Sequence, residues 1–343
     1  MSAKHFTQNG STRRGGDTEM ANSATKILLT GATGFVGGRL LHALTGHGIN
    51  VRCLVRSPEK LKGNLFTEEE IEIAKGDLLE EDTLDSALEG IEVAYYLVHS
   101  MGGRTIGENK IFAVRDRVAA KNFISAADKA GVRRVIYLGG LGETGDQLSK
   151  HLASRQEVGE ILSSGRAQAT ELRAANIMGA GGAPFEMLRY LVERLPVMVC
   201  PRWIEIRCQP IDIRDMVNYL LGCLREPATA GLSLDVGGPD IVTYRKMMEI
   251  YAQVRGLKRL IITVPVLTPR LSTYWVNLVT PVPSGVVNPL VEGLRNEVIC
   301  RENRIRELIP MKLMDLEQSI CMALQEVEKG PGKLISQQAC LLK

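Results

Sequence analysis

Nine residues, Thr30-Gly31-Ala32-Thr33-Gly34-Phe35-Val36-Gly37-Gly38, narrow the folds open to this chain more than any other stretch. They lie between a short apolar run, Lys26 to Thr30, and an amphipathic one, Phe35 to Thr45. Their spacing gives each glycine a task. Gly31 permits a tight turn, Gly34 lets the backbone approach a pyrophosphate, and Gly37 lets a helix lie close to a strand. The N–H groups at the helix start then meet phosphate, helped by the helix dipole. A glycine triplet alone says little; a strand before it, a helix after it and a further strand on schedule make it a dinucleotide loop.

That schedule continues. Val51 to Val55, Ile71 to Ala74, Val93 to Val98, Arg134 to Leu138, Ala169 to Arg173 and Leu232 to Val236 read as buried strands. Glu108 to Ala130 carries apolar residues at helical spacing (Ile111, Val114, Val118, Phe123, Ala127) and stops at Gly131; Ser154 to Ser163 reads as another helix. Strands alternating with helices predict an α/β fold with a doubly wound parallel sheet, an NAD(P)-binding Rossmann fold, and a smaller carboxy-terminal lobe. The expected division is a tail over 1–25, a Rossmann core over 26–176, a mixed lobe over 177–325 that completes the sheet and lines the substrate cleft, and a tail over 326–343.

The end of the second strand selects the cofactor. An acidic residue there would hold an NAD ribose; the chain has Val55-Arg56-Ser57. Arg56 can fork onto a 2′-phosphate and Ser57 can donate to it, so the residues favour NADP(H) over NAD(H), with a solvated surface arginine as the plain alternative. Asp77, followed by Leu78 after the third strand, is placed to accept from the adenine amino group. Val98, His99 and Ser100, at the carboxyl end of the fourth strand, complete the cofactor rim.

Charge and cysteines exclude several classes. A net charge of +3 over 343 residues is too small to imply nucleic acid or an anionic membrane as a partner. Seven scattered cysteines without a CxxC and five histidines without ligand spacing point away from a disulfide framework and from a metal site. Residues 1–25 have no apolar core of a secretory signal. Leu271 to Val291 carries no charge but is broken by Pro281, Pro283 and Pro289. It reads as a buried or cleft-lining segment, or as a peripheral membrane or quinone contact, rather than as a span.

The T-G-A-T-G-F-V-G run, Leu54-Val55-Arg56, Gly76-Asp77-Leu78 and the strand Arg134 to Leu138 resemble the atypical short-chain dehydrogenase/reductase superfamily. Within it, Tyr95 to Met101, His151 to Gly159 and Leu191 to Met198 are most similar to bacterial NmrA-like and nucleoside-diphosphate-sugar-epimerase-like proteins. These are related to the Rossmann-fold accessory subunit of respiratory complex I. The likeness covers about residues 26–325 and implies a cytoplasmic protein, peripheral to the inner membrane if the uncharged segment touches lipid. The superfamily's standard catalytic set is Ser, Tyr and, four residues on, Lys. Aligned on the fifth strand and the next helix, the Ser position falls in Gly139-Gly140-Leu141, the Tyr position is His151 and the Lys position is Arg155.

With that set missing, His151 is the acid or base left near neutral pH, or else a helix-start surface histidine. Arg155, one helical turn on, can bind the ribose or a carbonyl oxygen but cannot relay protons. His99 faces the cofactor or is a satisfied loop histidine. Arg173 faces the nicotinamide or ties down a loop. The glycine-rich loop Asn176 to Ala183 is expected over the nicotinamide side. Phe185, Met187, Leu188 and Tyr190 read as core or cleft wall, while Arg202, Trp203, Arg207 and Gln209 either shape a substrate pocket or are structural. Three functions stay open: an NADPH-dependent oxidoreductase on a small or lipophilic carbonyl or quinone-like substrate; a non-catalytic redox sensor or accessory or assembly subunit of a membrane complex; and a sugar-nucleotide epimerase, disfavoured because that chemistry relies on the missing Tyr and Lys. The substrate and the oligomeric state are not legible.

Overall fold

The computed structural model describes residues 26–62, 71–99, 109–142, 150–264, 279–282, 287 and 296–330. The strands are β1 (Ile27–Thr30), β2 (Val51–Val55), β3 (Ile71–Lys75), β4 (Val93–Tyr96), β5 (Arg134–Gly140), β6 (Gln168–Ala174), β7 (Ile177–Met178), β8 (Val197–Pro201), β9 (Arg207–Cys208), β10 (Ile211–Asp212), β11 (Ser233–Val236), β12 (Val242–Thr243) and β13 (Leu260–Val264). The helices are α1 (Phe35–Gly46), α2 (Glu59–Lys62), α3 (Leu84–Leu88), α4 (Asn109–Ala130), α5 (Lys150–Ser163), α6 (Ala183–Arg194), α7 (Ile213–Arg225), α8 (Tyr244–Val254), α9 (Arg304–Leu308) and α10 (Leu316–Lys329).

Seven strands form one sheet in the order β11-β6-β5-β4-β1-β2-β3, and every pairing is parallel. Both faces are covered, so β1 and β2 are buried along their whole length, as parallel strands must be. Leu40, Leu44, Met216 and Leu220 of α1 and α7 pack on one face. Leu88, Phe123, Val158 and Leu162 of α3, α4 and α5 pack on the other. Period-two alternation sends neighbouring tyrosines of β4 to opposite faces. The Tyr95 hydroxyl donates to the Leu220 carbonyl at 3.0 Å, while the Tyr96 ring meets Phe123 edge-on at 5.0 Å. The chain runs outward from β1 through β3, then returns to β4. The order therefore reverses between β1 and β4, and this fold opens its ligand crevice at the carboxyl ends of those strands.

Three boundaries differ from the sequence reading. The fourth strand ends at Tyr96 rather than Val98, because the Leu97 N–H donates to the Thr30 hydroxyl (3.1 Å) instead of to a strand carbonyl. Helix α5, which carries Ser154 to Ser163 as expected, begins four residues earlier at Lys150 and so includes His151 in its first turn. The tail expected from 326 starts later: α10 runs to Lys329, and the buried carboxylate of Glu326 pairs with Arg39 (3.1 Å) and Arg214 (3.4 Å). Asp315 and Gln318 close a capping box at the start of that helix.

A third core holds the carboxy-terminal lobe, where Phe185, Leu188, Met248, Tyr251, Ile320 and Leu324 meet from α6, α8 and α10. The lobe is not detached, since it supplies β11 to the main sheet. Among the described residues no helix is long and apolar enough to cross a membrane.

Candidate functional site

The glycine loop is shaped by backbone contact. Gly31 has φ +74°, and a Cβ there would sit 2.6 Å from the Leu97 carbonyl oxygen. A Cβ on Gly37 would fall on the Gly31 carbonyl itself. Gly34 stands before α1 at φ −85°, ψ 174°, and its own N–H donates to the Gly31 carbonyl at 2.9 Å; no side chain caps the helix, so the N–H groups of Phe35 and Val36 meet no competing capping hydroxyl or carboxylate. Thr30 closes the other side: its hydroxyl donates to the Tyr95 carbonyl at 3.0 Å and accepts from Leu97. Ala32 is buried and Thr33 exposed. The arrangement is a cradle that a dinucleotide pyrophosphate fits, because the chain comes closest where a side chain would block it.

The loop is braced from behind. Gly182 packs so near the Phe35 ring that a Cβ would lie 2.6 Å from Cζ. Arg39 covers that ring at 4.6 Å and donates to the Ala180 carbonyl at 2.7 Å. The glycine-rich segment expected over the nicotinamide is thus fastened to the start of α1.

Arg56 follows β2 directly and is exposed, with no ion-pair partner among the described residues; Ser57 beside it is half-buried. Asp77 is half-buried, and its carboxylate already accepts from the Leu79 N–H at 3.0 Å, while Leu78 is buried. These positions border the rim on the β2–β3 side, where a 2′-phosphate and an adenine would lie in this fold.

On the β4–β5 side, half-buried Val98 leads to His99, which opens onto the cleft; Ser100 lies outside the described residues. The His99 and His151 rings are 6.1 Å apart, and Phe112 stands 6.5 Å from His151. Desolvation, with Arg155 adding to it, lowers the His151 pKa to about 4. His99 is exposed at the end of the described segment, and desolvation, with the Arg155 and His151 charges, lowers its pKa well below the ordinary histidine value. Both rings are therefore neutral at pH 7. Each can donate one hydrogen bond or accept a proton, so of the acid and base roles expected for His151 the lowered pKa fits the base.

Arg155 is turned inward. Its guanidinium donates to the Leu138 carbonyl and lies 5.2 Å over the Tyr137 ring, whose hydroxyl donates back to the Arg155 carbonyl at 3.0 Å. It acts on the site through its charge on the two histidines.

Most of the other candidates already make contacts within the fold. Arg173 pairs with buried Asp235 at 2.7 Å across β6 and β11. Phe185, Met187 and Leu188 are core, and the Tyr190 ring lies between the Arg189 and Arg194 guanidinia at 4.8 and 4.6 Å. Trp203 meets Tyr244 edge-on, Arg207 pairs with Glu297 at 2.6 Å, and Gln209 bonds the Gly238 carbonyl and the Cys300 N–H. Arg202 is exposed. Of the uncharged segment, Val279, Thr280 and Val287 are buried, and Val287 packs on Met187 and Trp203; most of the remainder lies outside the described residues.

Sequence reasoning missed Glu171. Its carboxyl fills the space left by Gly139 and Gly159, each of whose Cβ atoms would lie 2.6 Å from Oε1. It accepts from the Ser233 hydroxyl at 2.9 Å, and burial raises its pKa. A glycine inside α5 was the one signal for it.

Residues 31–178 match the NAD(P)H-binding family. The chain is 29% identical over 248 residues to ceramide reductase of Caulobacter vibrioides, covering 72% of this chain and 76% of that protein. It is 30% identical over 131 residues to the 3 beta-hydroxysteroid dehydrogenase/Delta 5-->4-isomerase of Mycobacterium tuberculosis, covering 36% of this chain but only 34% of the relative. In fold it is similar to the Citrobacter sp. triphenylmethane reductase solved with NADP(H), at TM-score 0.67 and 19% identity, over 87% of this chain and 99% of that one.

Proposed function

We propose that this chain, whose residues 31–178 match an NAD(P)H-binding family, is an NADPH-dependent reductase of a lipophilic, conjugated acceptor such as a quinone-like carbonyl. The observation that carries this reading is the pair of neutral histidines at the cleft mouth, 6.1 Å apart, where the superfamily would place a tyrosine acid. Bound NADPH would supply the hydride. The chain would hold it through the Gly31–Gly37 cradle and grip its 2′-phosphate through Arg56 and Ser57.

The residues favour one class of acceptor. Reduction of an isolated ketone places a full charge on one oxygen and calls for a strong acid beside it. A neutral imidazole offers a hydrogen bond and no such acid. A conjugated acceptor spreads the charge, so an N–H from His151 or His99 is enough to orient and polarise it while solvent completes protonation. The named substrates of two relatives, a ceramide and a steroid, are lipids, which supports an apolar acceptor.

The test is NADPH consumption by the purified chain with menadione and, separately, with a short aliphatic aldehyde. Menadione should be reduced and the aldehyde left. Removing the hydrogen-bond donor with His151→Ala should lower the rate about a hundredfold, and His151→Gln should restore part of it. A second reading is favoured by Arg155, whose guanidinium is committed to Leu138 and Tyr137 rather than to a ribose. On that reading the chain is a cofactor-binding sensor or accessory subunit. Tight NADPH binding with no acceptor able to oxidise it would select it.

A further inference from the structure

Among the described residues, no element covers the outer face of the β8–β13 pair. The two strands run parallel with Leu260 opposite Val197 and Ile262 opposite Val199. Alternation turns Met198 and Cys200 into the lobe's core and turns the other four residues out. Val197 is 50% exposed, Val199 58%, Leu260 56% and Ile262 41%. These are four of the eight large hydrophobic side chains that stand exposed among the described residues, and here they form one flat patch instead of scattered single residues.

Among the described residues, the charges flanking this patch that have no opposite partner are positive. From Ile250 to Val264, the residues that lead into β13 and form it, there is no Asp or Glu and there are three cations, Arg255, Lys258 and Arg259. Lys258 and Arg259 precede β13, and Arg202 follows β8, so cations stand at both ends of the patch. Arg259 donates to the carbonyls of Val192, Glu193 and Lys258 and, among the described residues, to no carboxylate. Lys258 and Arg202 are exposed and have no acidic partner among the described residues. The neighbouring acids are already paired: Glu193 with Arg189 and Arg255, and Glu205 with Arg245 at 2.6 Å.

We propose that the outer face of the β8–β13 pair docks on an anionic lipid bilayer. Val197, Val199, Leu260 and Ile262 would enter the headgroup boundary while Lys258, Arg259 and Arg202 meet lipid phosphates. This places the chain on a membrane without a span. It does not rest on the reaction proposed above, because binding is read without any acceptor.

The test is co-sedimentation of the full chain with vesicles of phosphatidylcholine, and with vesicles containing about a third phosphatidylglycerol. The chain should pellet with the anionic vesicles and release as salt rises. Val199→Glu with Ile262→Glu should lower partitioning about tenfold or more. Lys258→Ala should lower it about fivefold. Both sites are solvent-facing, so NADPH affinity and the thermal midpoint of the variants should match the parent and show that folding is intact. A chain that stays in solution with both vesicle types overturns the proposal, as does a glutamate variant that pellets like the parent. Self-association in sedimentation velocity that the glutamate variant abolishes would also overturn it and assign the face to a second copy.

Discussion

Gly31 and Gly231 have nearly the same backbone, φ +74° and +71°, and opposite surroundings. A Cβ on Gly31 would press on the Leu97 carbonyl oxygen, whereas a Cβ on Gly231 would meet nothing within 4 Å. The contrast sets the dinucleotide loop against the core of the lobe, although the lobe has its own crowded turn at Gly238, where a Cβ would press on the Pro210 carbonyl oxygen. In the dinucleotide half, main chain packs on main chain: α1 on β1 at Gly37, and β1 on the segment after β4 at Gly31. In the carboxy-terminal lobe, two-residue strands contribute little, and the structure is held by apolar side chains and by the Arg39–Glu326–Arg214 ion pairs that bind it back to α1. The first region is specified by what cannot be added, the second by what cannot be removed.

Pairing the two glycines breaks or sharpens that contrast most strongly. Gly31→Ala, strained and crowded at once, should cost more than about 4 kcal/mol and remove NADPH binding, while Gly231→Ala should cost about 1–2 kcal/mol and leave binding intact. Chemical denaturation and a nucleotide titration on both variants check this; equal losses would remove the distinction. Next in size is Phe185→Ala in the third core, which should cost about 3–4 kcal/mol with NADPH affinity nearly unchanged in the folded fraction. A proportional loss of affinity would show that the lobe shapes the phosphate cradle directly.

Asp215 probes the seam between the regions. Burial raises its pKa to about 6, although its carboxylate accepts from the Met314 N–H at 2.8 Å. The folded chain therefore holds this proton more tightly than the unfolded one, so wild-type stability falls as pH rises from about 4 to 6 and the full cost is present above 6. Asp215→Asn does not titrate and should gain about 2 kcal/mol on wild type across that window. A constant difference between the two proteins would contradict the shift. The smallest expected effect is at His151. With a pKa near 4, it should leave NADPH turnover flat between about pH 6 and 8. A rate that tracks a group titrating near 6.5 would return His151 to the role of proton donor.

The same contrast explains what could be read from the sequence. The loop Thr30 to Gly38, the strand Val51 to Val55 and the position of Arg56 were legible because backbone crowding leaves glycines at fixed spacing and burial leaves unbroken apolar runs. The early end of β4 was not, because the Thr30 hydroxyl captures the Leu97 N–H across two strands. In the lobe, β7, β9, β10 and β12 have two residues each, too few to alternate. Arg39 and Glu326 meet across 287 positions, beyond any local pattern. Glu171 left a trace only in the glycines that make room for it, and the depressed histidine pKa values come from burial, which residue type does not reveal.

The central claim is that the Gly31–Gly37 cradle and Arg56 hold NADP(H). The direct measurement is a fluorescence titration of the purified chain with NADPH and with NADH, repeated on Arg56→Ala. A 2′-phosphate contact of about 1.5–3 kcal/mol predicts roughly ten- to hundredfold tighter binding of NADPH, lost in the variant while NADH affinity stays the same. Equal affinities for the two nucleotides, untouched by the substitution, would contradict it and leave Arg56 a solvated surface residue.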